Sequence, residues 1–277
     1  MSSQLPKISI IIPVRNEEHH LEKAVESVFA QNYPGESEII LAVGPSSDKT
    51  MEVAQALKAK YPTLVILENQ KGLTTTGLNL AIAKSSGSII VRVDAHSELG
   101  ENYLLRGVEI LEQTGSVLLG GIMQARGKSP LQKAVAFGYN SRLGLGGGSY
   151  HLGGKEGEAE SAYLGIFRAD ALRAAGGYDE KIIRGEDWDL AQRLRANGGK
   201  VYFSPELIVD YWPRSNLRAL AWQFYSTGVW RGELTRRAPS KASFRYFIPP
   251  IALLVLADLL FLSVSGYLDY RMVIVPI

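Results

Sequence analysis

No cysteine occurs in this chain. That excludes disulfides, thiolate metal sites and a cysteine nucleophile, and it fits a reducing compartment. Neither sign of charge is in surplus: 30 Lys and Arg against 28 Asp and Glu leave a net +2. The total therefore makes no electrostatic case for nucleic acid as a partner. The turn after the first apolar run, Pro13-Val14-Arg15-Asn16-Glu17, lacks the G-x-G-x-x-G spacing. Its absence argues against a dinucleotide-binding oxidoreductase. The opening Met1-Ser2-Ser3-Gln4-Leu5-Pro6 is short and polar, unlike a secretory signal. No internal repeat is present, and 277 residues suffice for one large α/β domain with extensions.

What the chain does contain is an alternation of apolar strands and amphipathic helices. Residues 8–14 form a continuous apolar run of the kind buried on both faces of a sheet. Asn16 is positioned to cap a helix in which Leu21, Ala24, Val25, Val28 and Phe29 recur at helical spacing. Strands are expected over 39–43, 64–67, 88–93 and 117–123. Helices are expected from Ser47-Asp48, over 74–84 and over 102–114. This order implies an α/β fold with a mostly parallel sheet, flanking helices and right-handed crossovers. Seven glycines between Gly144 and Gly157 predict a long loop. An apolar patch at 163–167, a Gly176-Gly177-Tyr178-Asp179 turn and a helix opening at Glu186 follow. A strand over 200–211 and an amphipathic helix over 217–236 complete this part.

Several polar groups fall at the ends of the expected strands. Asp94-Ala95-His96 closes the fourth, where open α/β sheets bind ligands. On an extended backbone the two side chains would share one side, a half-site for a divalent cation and a phosphate, although loop capping alone also explains such a pair. Arg15 and Glu17 sit where a nucleotide would rest, the first near phosphate and the second accepting from a base or ribose, although a simple helix start also explains Asn16-Glu17. Gly44-Pro45-Ser46-Ser47-Asp48 lets a ligand approach the backbone at a helix N-terminus, although a capped turn explains it equally well. Lys71 adds a cation that either faces a phosphate or is solvated. Glu186 and Asp187 are adjacent carboxylates at a helix start, where one can take a proton from a hydroxyl. Trp188 beside them offers an apolar wall for a sugar ring.

The order of these groups resembles a known family. Pro13-x-x-Asn16-Glu17, Ser46-x-Asp48-x-Thr50, Lys71-Gly72 with Asn79-x-Ala81, Asp94-x-His96, the Gly-Gly-Tyr-Asp turn and Glu186-Asp187 resemble the family-2 inverting glycosyltransferases of GT-A fold. The resemblance covers roughly residues 6–212 and looks closest to the succinoglycan-type glucosyltransferases of bacterial exopolysaccharide assembly. It implies that Pro13, Arg15 and Glu17 line a nucleotide pocket with Ser46, Asp48, Lys71 and Asn79 nearby. It further implies that Asp94 and His96 approach the diphosphate and its metal, and that Asp187 is the general base. His96 stands where most members carry an oxygen ligand, so Mn²⁺ is expected over Mg²⁺. Many members carry paired acids where this chain has Val43-Gly44, and one of those acids contacts uracil. The Gln-x-x-Arg-Trp signature of processive synthases is also missing, which implies single addition.

The expected reaction is direct, inverting displacement on a nucleotide-sugar, a UDP-hexose, by a hydroxyl of a lipid-linked glycan. Two other readings stand beside it: a sugar nucleotidyltransferase, and a non-catalytic nucleotide-binding module of a membrane protein. A membrane enters through the last part of the chain. Residues 247–267 form an apolar run with one charge, Asp258. Arg231, Arg236, Arg237, Lys241 and Arg245 precede it, opposed only by Glu233, which puts the catalytic domain on the cytoplasmic face. A buried core helix is the other reading of the same run. The final 272–277 looks like the start of a second apolar segment. The expected division is a catalytic domain over 1–215, a basic interface helix over 216–246 and a transmembrane or membrane-associated segment over 247–277.

Overall fold

The computed structural model describes residues 5–141, 153–237 and 247–266. Most of the expected glycine-rich loop, Lys241, Arg245 and the final apolar segment lie outside the described residues. The chain divides into two units, Met1–Ser226 and Thr227–Ile277.

Within the first unit, β1 (Ile8–Val14) is the central strand, buried along nearly its whole length. It pairs in parallel with β2 (Ser37–Val43) on one side and β4 (Ile89–Arg92) on the other. Outside β2 lies β3 (Val65–Glu68), also parallel. The sheet then continues from β4 through β8 (Ile166–Arg168), β6 (Leu118–Ala125) and β9 (Val201–Tyr211) to β5 (Ser97–Leu99). β8 is antiparallel to both β4 and β6, while β6 and β9 run parallel. A two-residue strand, β7 (Gly157–Glu158), pairs antiparallel with β9. The parallel half β3-β2-β1-β4 thus carries the strand ends at which the candidate ligands were expected.

Side-chain alternation along β1 splits the core into two layers. Ile8, Ile10, Ile12 and Val14 pack with α1 (Leu21–Phe29), α2 (Thr50–Lys60) and α4 (Tyr103–Thr114). Ile11 packs on the other face with Leu78 and Ala81 of α3 (Thr74–Lys84), Leu172 of α6 (Ala169–Ala174) and Leu190 of α7 (Glu186–Ala196). A further helix, α5 (Pro130–Tyr139), opens with a Ser129–Gln132 capping box that the sequence reading passed over. β6 and β9 slip register between Gly120 and Ile122, where a Cβ on Gly121 would come within 2.0 Å of the Leu207 carbonyl.

Local expectations needed correction in three places. Asn16 does not cap α1; it sits in the loop at φ 55, and His20 takes the cap position. Its side chain instead accepts from the Ser47 backbone N–H at 2.8 Å. Asp94-Ala95-His96 is not extended, because β4 stops at Arg92 and the Ser97 N–H closes a turn onto the Asp94 carbonyl. The expected transmembrane helix over 247–267 is described as α9 (Ile248–Val264), 17 residues long. At 1.5 Å per residue that is about 25 Å, against roughly 30 Å of bilayer hydrocarbon. Among the described residues no helix is long and apolar enough to cross a membrane. Leu253, Leu254, Phe261 and Val264 of α9 are exposed. α8 (Leu217–Arg237) precedes it, and Glu233 near its end binds both Arg236 and Arg237 at 2.8 Å.

Candidate active site

Three loops converge at the carboxyl ends of β1, β2 and β3. The Gly44 N–H donates to the Val14 carbonyl at 2.8 Å, and the Asn69 N–H to the Val43 carbonyl at 2.9 Å. A Cβ on Gly44 would stand 3.0 Å from the Gly72 Cα, so glycine allows the backbones to meet. Arg15 reaches across to donate to the Gly72 carbonyl at 3.1 Å. Ser46 accepts from the Asn16 N–H, Thr50 from the Glu17 N–H and Asp48 from the Glu18 N–H. The loops carrying the expected nucleotide residues Arg15, Ser46 and Asp48 are therefore brought together, with Ser46 and Asp48 already tying loop to loop, while Pro13 pairs with Ala42 within the sheet.

Lys71 and Asn79 are engaged differently. Lys71, 69 % exposed, pairs with Glu180 at 2.8 Å. Asn79 grips the backbone of Tyr178 at both ends, donating to its carbonyl and accepting from its N–H, each at 2.8 Å. Gly177 lies between at φ +68, and a Cβ there would come within 2.6 Å of Asn79 Oδ1. The Gly-Gly-Tyr-Asp turn is thus fastened to α3, which sets where α7 begins.

Glu17 sits between two imidazoles. Its Oε1 lies 3.0 Å from His96 Nδ1 and its Oε2 3.2 Å from His20 Nδ1. Burial pushes the Glu17 carboxyl up, but hydrogen bonds from His20 and His96 outweigh this and hold it at about 2. Burial works against a charged His96, and the Glu17 hydrogen bond with the nearby Asp94 overcomes it, raising its pKa. With Nδ1 facing Glu17, Nε2 is the nitrogen left to bind something else. The Tyr211 ring meets His96 edge-on at 5.7 Å.

The second focus is Arg92, a residue the sequence reading passed over. Its side chain is 4 % exposed, and its guanidinium contacts three carboxylates. Nε donates to Asp94 at 3.1 Å, Nη2 to Glu186 at 3.1 Å and Nη1 to Asp187. The Tyr178 ring lies beneath its Cζ at 5.5 Å. Burial pushes the proton affinity of Asp187 up; Arg92 opposes, Glu186 and Asp94 add to it, and the carboxyl ends well above its ordinary range. α7 starts at Gly185, in a left-handed conformation at φ 80, with Glu186, Asp187 and Asp189 in its first turn. Its N-terminal dipole offsets part of the repulsion among them. Trp188 is half-buried in the same turn. The missed signal was a lone arginine ending an apolar strand, since a buried charge needs acids around it.

Among the described residues no group of three or more His, Asp or Glu is placed to hold a metal ion. Asp94 and His96 are two donors, each steadied by a neighbour, which suits a cation whose remaining ligands come from a diphosphate.

The first unit thus combines a parallel α/β half with acids at its strand ends and a second pair of acids at a helix start. Residues 9–169 match the family described as Glycosyl transferase family 2. The succinoglycan biosynthesis protein ExoA of Rhizobium meliloti is 31 % identical over 270 residues, 97 % of this chain and 80 % of that protein. The dolichyl N-acetyl-alpha-D-glucosaminyl phosphate 3-beta-D-2,3-diacetamido-2,3-dideoxy-beta-D-glucuronosyltransferase of Methanococcus voltae is 28 % identical over 83 % of this chain and 74 % of its own. Among solved structures, the mannosyltransferase PcManGT from Pyrobaculum calidifontis, in complex with GDP-Man and Mn²⁺, superposes with TM-score 0.69. It is 16 % identical and is matched over 96 % of this chain and 78 % of that one. S. aureus TarS 1-349 in complex with UDP-GlcNAc gives TM-score 0.60 at 17 % identity over 76 % of this chain, which spans 59 % of that structure. The chain belongs to glycosyl transferase family 2 and is a glycosyltransferase with a GT-A-like fold. That membership displaces the nucleotidyltransferase and non-catalytic readings.

Proposed function

We propose that this enzyme transfers a hexose from a UDP-sugar to a hydroxyl of a lipid-linked glycan, by single addition with inversion, in cell-surface polysaccharide synthesis. The observation that carries the reading is the shared guanidinium. Asp94, on the diphosphate side, and Asp187, the base, meet on Arg92. In this reading the nucleoside rests on Pro13, Arg15 and Glu17, with Ser46, Asp48, Lys71 and Asn79 around it. Asp187 takes the acceptor proton as the hydroxyl attacks, Glu186 supports it, and Trp188 receives the acceptor ring. A divalent cation on Asp94 and His96, Mn²⁺ in preference to Mg²⁺, supplies positive charge to the leaving diphosphate. The raised proton affinity of Asp187 suits a base that must compete for a hydroxyl proton.

The lipid-linked acceptor is supported by the Methanococcus relative, whose name gives a dolichyl-linked substrate. Membrane association on the cytoplasmic face is supported by the exposed apolar side chains of α9 and the basic residues of α8. The decisive experiment combines a thermal-shift panel of nucleotide-sugars, with and without Mn²⁺, with NMR of the first sugar released. The reading expects the largest shift with a UDP-hexose plus Mn²⁺, because a ligand of the folded state raises the midpoint. It also expects an inverted anomer. A retained anomer, or shifts indifferent to the metal, overturns it.

A further inference from the structure

Arg92 is held rigidly before any substrate arrives. Its N–H donates to the Gly165 carbonyl at 3.0 Å, and the next residue, Val93, donates to Ile11 at 3.0 Å. Val91 pairs with Ile166 of β8 and Ile10 of β1. The side chain leaves this fixed backbone at the base of the acid cluster and lies over Tyr178, which Asn79 clamps. Its planar fork then gives a different nitrogen to each acid. Asp94 and Asp187 each spend Oδ1 on Arg92, and Glu186 spends Oε1. Among the described residues no hydrogen bond occupies Oδ2 of Asp94 or Oδ2 of Asp187. The side chains of these acids remain 18 % and 28 % exposed above an arginine that is only 4 % exposed.

We propose that Arg92 is a positioning residue of the transfer reaction: it fixes Asp187 against Asp94, leaving Oδ2 of Asp187 for the acceptor proton and Oδ2 of Asp94 for the diphosphate-bound cation. This rests on reading Asp187 as the base. Three acids around one buried cation would otherwise separate by repulsion, and a base about 1 Å out of place loses about 10²-fold in rate. Lysine cannot substitute. Its ammonium is a point charge on a flexible stem and cannot match three acids in one plane.

The test uses the full chain with UDP, Mn²⁺ and UDP-glucose, whose slow hydrolysis lets water replace the acceptor. Arg92→Lys, Arg92→Gln and Asp187→Asn are compared with the wild type. UDP titration counts folded, binding-competent molecules, so kcat is read per binding molecule whatever the stability loss. Arg92→Lys is expected to lower kcat about 10²-fold, with KM and the UDP Kd moving by a smaller factor through Asp94. A residue that only stabilised the fold would reduce the number of binding molecules and leave their kcat unchanged. Absent hydrolysis by the wild type, or full activity in Asp187→Asn, overturns the functional reading and this proposal with it. An inactive Asp187→Asn beside an Arg92→Lys of wild-type kcat overturns the positioning role alone. If neither Arg92 variant binds UDP, Arg92 is a structural residue and the proposal is likewise overturned.

Discussion

Glu17→Gln is the perturbation whose size the structure fixes best. The carboxylate accepts from His96 and His20 and is held at about 2 instead of 4.5. At about 1.4 kcal/mol per pH unit, that gap corresponds to roughly 3 kcal/mol of preference for the charged form. His20 is 39 % exposed, so solvent screens its share. The expected loss is then about 1–2 kcal/mol of folding stability. Its pH dependence follows from the two directions. A depressed carboxylate contributes stability above about 4.5 and loses it as pH falls toward about 2. A raised histidine contributes below 6.5 and loses its share as pH climbs through the folded value. Both contributions are present together near about pH 5.5, whereas near about pH 8.5 the carboxylate share remains and the histidine share is smaller. Urea denaturation at those two pH values is the assay. A loss clearly larger at the acidic value is expected. Equal losses at both would mean that Glu17 is packed in place by its neighbours and not held by charge. The same variant replaces the carboxylate facing His96 Nδ1 by a neutral amide, so the affinity for Mn²⁺ in the presence of UDP should fall about tenfold or more.

Two further outcomes follow from the same geometry. His96→Asp should shift the activity ratio from Mn²⁺ toward Mg²⁺, because an oxygen ligand replaces an imidazole; a ratio that does not move takes His96 away from the cation. The kcat–pH profile should fall on the acid side with a midpoint above the ordinary 3.8 of an aspartate, since burial raises Asp187 and a protonated base cannot accept; a midpoint at or below that value contradicts the assignment.

The parallel half of the fold was legible because its strands are buried on both faces. Ile8 to Val14 reads as one apolar run, and it is a strand over those residues. The three-residue strands β5 and β8 were not legible, since each is too short to show a period and exists through its partners. The order of the candidate groups could be read along the chain, but their company could not. Asp94 and Asp187 were visible as acids at element ends. The arginine that joins them was hidden inside a strand, where its partners lie 94 and 95 residues away. Asn79 and Lys71 likewise have partners distant in sequence: Asn79 holds the Tyr178 backbone and Lys71 pairs with Glu180. The membrane run was legible as apolar composition, while the 17-residue extent of α9 among the described residues was not.

The central claim is that Asp187 works as the base of a transfer reaction whose nucleotide site is built elsewhere. Asp187→Asn tests it most directly, with UDP-hexose turnover and UDP affinity measured on one preparation. Glu186 and Asp94 still hold Arg92 in that variant, so the fold and the nucleotide loops should persist. The account predicts turnover reduced about 10²–10⁴-fold with the UDP Kd within about threefold of wild type. Turnover at the wild-type rate, or UDP affinity lost together with turnover, would contradict it.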